Sequence, residues 1–277
     1  MNSDSQSRIP RSSRGPEDAI DETIQPQAAA HVDNVGRYRD LWDSLASTID
    51  SARYFCDGSS SEADLNERGV ALVQRIAEAI DIQGQHTVLE IGCGLARLGL
   101  PMAKRCAAWH GCDVSPRMLA LAANRTSRCS NVTLTLLDHT SLSIYDDGTF
   151  DRAYTIGLFC HLPKEDVFRY LCEVRRVLKP GGVFCCGMWN LCAEHGWRLW
   201  MDYIHKDDGV IIHTWTTPEE FRQFLNGSGL TLQELLTDSE YLVEAVVSKG
   251  PTGALLRPQA LLDDDALFVD RSDERRR

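Results

Sequence analysis

Short apolar runs alternate with helix-patterned segments along most of this chain, and few folds accommodate that alternation. Leu65, Gly69, Leu72, Val73, Ile76 and Ile80 share one helix face, with Ser61 placed to cap its start. The run TVLEI (87–91) follows, ended by glycines, and reads as a buried strand. The pattern then predicts helix over 96–105, strand over 108–113, helix from Pro116 to Arg125 behind a Ser115 cap, and strand over 131–138. Strand 150–156, helix 164–178, strand 183–189 and helix 218–226 continue the series, with Pro180, Gly181 and Gly182 stopping the 164–178 helix. The last two strands, 231–236 and 241–248, lie too close for a parallel crossover and must form a hairpin. These patterns specify a mostly parallel sheet covered on both faces, with one antiparallel strand. Such sheets bind ligands at the carboxyl ends of their strands, near the reversal of strand order.

The two ends of the chain differ from this region. Residues 1–36 are rich in Ser, Pro, Gln and charge and are expected to form a disordered arm; 37–249 form the domain, and 250–277 a polar tail. The first residues are polar and lack the apolar core of a secretory signal, and no apolar run approaches the roughly 20 residues that cross a bilayer. A cytoplasmic location and no membrane partner are therefore expected. The net charge of −11 argues against nucleic acid, whose phosphates call for a basic surface. The ten cysteines include no Cys-x-x-Cys pair and no Cys/His ladder at zinc spacing, so they read as small buried hydrophobes and no metal is expected.

The chemistry is concentrated in VLEIGCGLARLGLPMA (88–103), where a strand leads through Glu90, Gly92 and Gly94 into a helix. Glycine lets a ligand approach the backbone closely. A dinucleotide fingerprint would need a small residue at position 97, which is Arg97, and a P-loop would need a Gly-Lys-Ser/Thr that is missing. Asp113 ends the next strand, 21 residues after Gly92, where a carboxylate can accept from two ribose hydroxyls. Asp138 ends the third strand, where a carboxylate can accept from an adenine amino group. One glycine loop and three strand-end acids suit a nucleoside with a short tail and offer no site for a pyrophosphate.

With WHGCDVSPRML, LLDHTSLSIYDDGTFDRAYT and EVRRVLKPGGVF, this loop resembles the class I S-adenosylmethionine-dependent methyltransferases, in the broad bacterial small-molecule branch with a methyltransferase-11/25-like domain. The resemblance covers about residues 65–250. It implies an α/β fold, a Rossmann-like doubly wound seven-stranded sheet of order 3-2-1-4-5-7-6 with strand 7 antiparallel, and S-adenosyl-L-methionine as cofactor. It also implies that Glu90, Gly92 and Gly94 face the methionine portion, that Asp113 holds the ribose, and that Asp138 with His139 borders the adenine. Cys93, Val114 and Thr155 are expected to complete the cofactor site. The family often has a third glycine where this chain has Ala96.

Methyl transfer by in-line displacement needs chiefly a nucleophile held about 3 Å from the methyl carbon, and a general base only if the acceptor must lose a proton. His161, just past the fourth strand, is the candidate base, with His213 as a second; either can instead shape the pocket. The fourth strand lacks the Asn/Asp-Pro-Pro-Tyr/Phe signature of base-amine methylation, and Cys160 has no preceding proline. The expected partner is a small-molecule acceptor. Tyr38, Trp42, Tyr54, Phe55, Trp189, Trp197, Trp200, Tyr203 and Trp215 lie in two lid-like segments, 38–55 and 189–215, and suit an apolar or aromatic one, or form the core of those segments. The alternative function is a cofactor-binding regulator or scaffold without transfer activity. Oligomeric state is not legible in the sequence.

Overall fold

The computed structural model describes residues 34–206, 213–237 and 239–250. The expected tail beyond Gly250, nearly all of the expected arm and part of the 189–215 segment lie outside the described residues.

Eight strands form one sheet: β1 (Thr87–Ile91), β2 (Ala108–Asp113), β3 (Val132–Leu136), β4 (Phe150–Thr155), β5 (Leu178–Asn190), β6 (Trp215–Thr216), β7 (Thr231–Leu236) and β8 (Leu242–Ser248). Their order is β3-β2-β1-β4-β5-β8-β7, with β8 antiparallel to both neighbours. This is the expected order, with β7 and β8 in the places of strands 6 and 7. The two-residue β6 is an addition; it pairs parallel with the far end of β5. The strand order reverses between β1 and β4, which opens a crevice at the carboxyl ends of β1, β2 and β4.

The helices are α1 (Val35–Leu45), α2 (Ile49–Asp57), α3 (Glu62–Ala79), α4 (Gly99–Met102), α5 (Pro116–Thr126), α6 (Lys164–Val177), α7 (Glu194–Lys206) and α8 (Pro218–Gly227), with a 3-10 turn at Phe159–His161. Ser61, Ser115 and Thr217 cap α3, α5 and α8 by accepting from the N–H three residues on, which satisfies one orphan donor in each first turn. α1 starts at Val35, inside the segment expected as arm. α4 is much shorter than the predicted 96–105, because Ala96 has φ +59°, a left-handed conformation that no α-helix continues through. β5 is longer than predicted. Pro180–Gly182 do not precede it but lie within it, at the irregularity where its pairing with β4 shifts register.

Alternation along the strands separates two apolar layers. Leu89, Ile91, Phe150 and Phe184 pack with Val167, Leu171 and Val174 of α6 and Phe221 of α8. Val88, Trp109, Tyr154 and Cys185 pack with Leu72, Val73 and Ile76 of α3. Trp109 is fully buried, and its indole lies against Gly99 and Gly111. A Cβ at either glycine would fall far inside van der Waals contact with that ring. Gly111→Ala is therefore expected to lower stability by about 1–3 kcal/mol, the usual cost of overpacking a close-packed core. Denaturant unfolding of the variant checks this; an unchanged midpoint would mean that the indole has room to move.

Candidate functional site

A cavity opens at the crevice between the carboxyl ends of β1, β2 and β4. Its floor is the segment Glu90–Gly94 together with Arg97 and Leu98. Asp113, Val114 and Leu137 line one side, and Ile156, Gly157, Leu158, His161 and Leu162 the other. Tyr38, Trp42, Phe55 and Cys56 of α1 and α2 cover it, and Tyr170 of α6 completes the wall.

The loop after β1 is held from beneath. Gly92 and Cys93 both donate their N–H to the Cys112 carbonyl, at 2.8 and 3.0 Å. Gly92 has φ +71°, and a Cβ there would stand 3.1 Å from the Leu158 side chain, so any larger residue would be strained and would press on Leu158. Asp113 fixes the next turn. Its Oδ2 accepts from the Gly94 N–H at 2.8 Å and its Oδ1 from the Ser115 N–H at 2.9 Å. Burial raises the Asp113 pKa, and the amides of Ser115, Gly94 and Val114 pull it back. Each oxygen keeps a lone pair, so the carboxylate remains an acceptor in the cavity wall. Ala96 is fully buried and does not line the cavity; the departure from glycine there costs backbone strain rather than access.

Glu90 is 4% exposed. Its Oε2 accepts from the Tyr154 hydroxyl at 2.6 Å, and that hydroxyl in turn accepts from Trp109 Nε1 at 3.1 Å. Burial pushes the Glu90 pKa from its ordinary 4.5 up to about 8, against the pull of Tyr154 and Arg97. Burial therefore favours the neutral acid form of Glu90.

Six expected cofactor residues, Glu90, Gly92, Cys93, Gly94, Asp113 and Val114, come together in this one cavity. Three others do not line it. The side chains of Asp138 and His139 are 83% and 63% exposed, just past the lining residue Leu137. Thr155 is buried between strands, where its Oγ1 donates to the Ile91 carbonyl at 2.8 Å; a hydroxyl so placed joins β4 to β1. His161 lines the cavity and meets Trp42 edge-to-face at 5.4 Å and His213 at 5.3 Å between ring centroids. Of the aromatic residues expected around an acceptor, Tyr38, Trp42 and Phe55 reach the cavity. Trp197 and Trp200 stack on each other along α7, while Tyr203 and Trp215 pack around His213 behind His161. Sequence reasoning missed Arg97, Cys56, Leu137 and Tyr170 as cavity residues. Only Arg97 left a signal, a charge in an otherwise apolar stretch. Among the described residues no cluster of three or more His, Cys, Asp or Glu could hold a metal, and no helix is long and apolar enough to cross a membrane.

The buried acid gives a pH signature. Glu90 ionises above 4.5 in the unfolded chain but only near 8 in the fold, so between those values the native state binds the extra proton and stability falls as pH rises. Glu90→Gln has no such proton. Its stability relative to the unmodified protein is expected to grow from pH 5 to pH 8 and to level off above that, as chemical denaturation at several pH values would show. Parallel profiles would mean that Glu90 ionises normally.

Residues 88–182 match the family model described as a methyltransferase domain. Methyltransferase GfsG of Streptomyces halstedii is 32% identical over 155 residues, 53% of this chain and 55% of that protein. A demethylmenaquinone methyltransferase of Tropheryma whipplei is 37% identical over 95 residues, 34% of this chain and 38% of that protein. The chain thus spans about half, or less, of the length of these curated relatives. In fold it is similar to magnesium protoporphyrin IX methyltransferase from Synechocystis PCC 6803 (TM-score 0.60, 16% identity, 78% of this chain and 99% of that one). It is also similar in fold to the [4+2]-cyclase SpnF (TM-score 0.54, 19% identity, 66% of this chain and 81% of that one). The glycine loop, the Asp113 clamp, the strand order and these similarities agree: residues 88–182 match a methyltransferase domain, and in sequence and fold the chain is similar to the S-adenosylmethionine-dependent methyltransferases.

Proposed function

We propose that this chain transfers a methyl group from S-adenosylmethionine to a small-molecule acceptor with an apolar or aromatic face. One observation carries the reading. A single cavity is lined both by glycine backbone and the Asp113 carboxylate and by the apolar and aromatic side chains of Trp42, Phe55, Leu158, His161 and Leu162. The first set suits a nucleoside, the second an apolar acceptor. The relative named for demethylmenaquinone supports such an acceptor, and the net charge of −11 supports a small molecule over nucleic acid.

The cofactor supplies a methyl group made electrophilic by a sulfonium. The protein's part is binding, orientation and exclusion of water. Asp113, clamped by two amides, accepts from ribose hydroxyls without having to reorient. The loop at Gly92 lets the tail of the cofactor lie on the backbone. Trp42 and Phe55 cover the reacting end, and His161 stands where it can form the acceptor wall or take a proton.

A second reading, cofactor binding without transfer, draws on the fold shared with a [4+2]-cyclase. Mass spectrometry separates the two: incubation with S-adenosylmethionine and a panel of quinones, sterols and aromatic hydroxy compounds should yield a product one methylene heavier. Binding without any such product across metabolite extracts would favour the second reading. Asp113→Ala is expected to weaken S-adenosylhomocysteine binding by roughly 2–4 kcal/mol, from the loss of charged hydrogen bonds and of the clamp on Gly94. Calorimetry checks it, and an affinity unchanged within about twofold would remove Asp113 from the ribose site. Once an acceptor is known, His161→Ala decides the base role. A base should cost roughly 10²–10⁴-fold in turnover and take the acid limb of the pH–rate profile with it. A small loss with an unchanged profile would leave His161 as a wall of the acceptor site.

A further inference from the structure

His161 lines the cavity, and a second histidine stands beside it. The ring centroids of His161 and His213 are 5.3 Å apart, at an interplanar angle of 64°. At that separation, suitably turned imidazoles bring one nitrogen of each ring within hydrogen-bond reach, about 3 Å. His213 is not part of the cavity lining and is partly exposed. The two rings therefore form a step from the cavity wall toward solvent.

Backbone hydrogen bonds hold the two together. Thr214 donates its N–H to the Cys160 carbonyl and its hydroxyl to the Leu162 carbonyl, each at 2.7 Å. These bonds straddle His161 and fasten the segment carrying His213 to the 3-10 turn. The His161 N–H donates to the Leu158 carbonyl at 2.8 Å, which fixes the turn itself. Aromatic rings pack around the pair: Trp42 of α1 on His161 at 5.4 Å, and Tyr203 of α7 and Trp215 of β6 on His213 at 4.9 and 5.7 Å. A phenyl ring would fill such a place as well; an imidazole adds a proton site next to another proton site.

Charged groups on the surrounding elements set the field in which the pair titrates. Lys164 of α6 and Glu220 of α8 bond to each other at 2.7 Å, and Thr216 donates to the same carboxylate. On the cavity side, Asp113 is held by backbone amides, Glu90 by Tyr154, and Arg97 by Asp57. Tyr38 of α1 donates to Asp166. Asp202 and His205 of α7 are exposed.

Methyl transfer to a hydroxyl releases a proton. The acceptor oxygen bonds to the methyl carbon, the carbon–sulfur bond breaks with its electron pair going to sulfur, and the O–H proton leaves. The positive charge lost from the sulfonium departs with that proton, so a neutral imidazole can take it. We infer that His161 and His213 form a proton relay, in which His161 takes the acceptor's proton and His213, as a positioning residue, draws it on toward solvent. The acceptor is then a compound with an ionisable hydroxyl, a phenol or an enol, rather than a nucleophile with no proton to lose. This inference rests on the methyl-transfer reading and adds to it a second histidine and the acceptor's hydroxyl.

NMR of the full chain with isotope-labelled histidines follows both rings without any ligand. The pair should take up its two protons in coupled steps about one pH unit or more apart. In His213→Gln, His161 should titrate in a single step at a shifted midpoint. Independent one-step titrations in the unmodified protein would overturn the relay, and that measurement needs no variant to fold. His213→Phe keeps a ring between Tyr203 and Trp215 and tests the role in turnover. With an aromatic hydroxy compound that serves as acceptor, turnover should fall roughly tenfold or more, with the acceptor KM within about threefold, and the acid limb of the pH–rate profile should move. Unchanged turnover and profile, or a rise in KM alone, would overturn the relay and leave His213 as packing. Transfer confined to acceptors without a removable proton would overturn the acceptor class while methyl transfer stands. Absence of any methylated product would remove the methyl-transfer reading, and the relay with it.

Discussion

The Asp113 carboxylate holds the glycine loop to the end of β2, and the cavity depends on that clamp. Gly92, Gly94 and Ala96 all have positive φ, at +71°, +51° and +59°. Such a run of left-handed residues does not persist unless its hydrogen bonds over-determine it. Gly92 and Cys93 are tied to the Cys112 carbonyl, Gly94 to Asp113, and Ala96 to the Cys93 carbonyl. The strain at Ala96, about 1–2 kcal/mol for a residue with a Cβ, is carried by this net. The same bonds lay the loop backbone along the cavity and fix the Asp113 carboxylate in its lining, with Arg97 following the loop. Local geometry and site chemistry therefore share one cause.

The upper wall is set by polar contacts from α1. Arg39 donates from Nε to the Val114 carbonyl and from Nη2 to the Leu137 carbonyl, each at 3.1 Å, and so spans the loops after β2 and β3. Asp43 accepts from the Ser115 hydroxyl and the Arg117 N–H, which fastens α1 to the start of α5. Tyr38 and Asn34 donate to the buried Asp166 of α6. These contacts bring Tyr38 and Trp42 to the cavity at the strand ends.

The sheet was legible in the sequence because each strand is an apolar run bounded by glycine, proline or acid, and because the short link between the last two strands allows only a hairpin. Glu90, Gly92, Gly94 and Asp113 were legible for a related reason: residue type and position at a strand end together set what they can bind. The misreadings share a cause as well. The stretch 96–105 has helix-compatible residues, but Ala96 turns left-handed, and the contacts beside it, Gly99 on Trp109 and Arg97 on Gly69 of α3, are tertiary ones that no local pattern reveals. Thr155 follows the strand alternation yet points at the Ile91 carbonyl, because β4 and β1 lie side by side. Asp138 and His139 lie past the end of β3, where the chain turns outward and leaves Leu137 as the cavity residue. The ion pairs of Asp57 with Arg68 and Arg97 join three separate elements, and nothing in the spacing of those residues announces them.

Hydrogen exchange with and without S-adenosylhomocysteine tests the site most directly, because it reports on every amide of the loop and of α1 at once. Saturating ligand should slow exchange at Gly92–Leu98, at Asp113–Ser115 and along α1, whose contacts with the β2 and β3 ends close the cavity, and should leave α8 unchanged. Protection absent from the glycine loop and the end of β2, or confined to elements remote from them, would contradict a cofactor site at these strand ends.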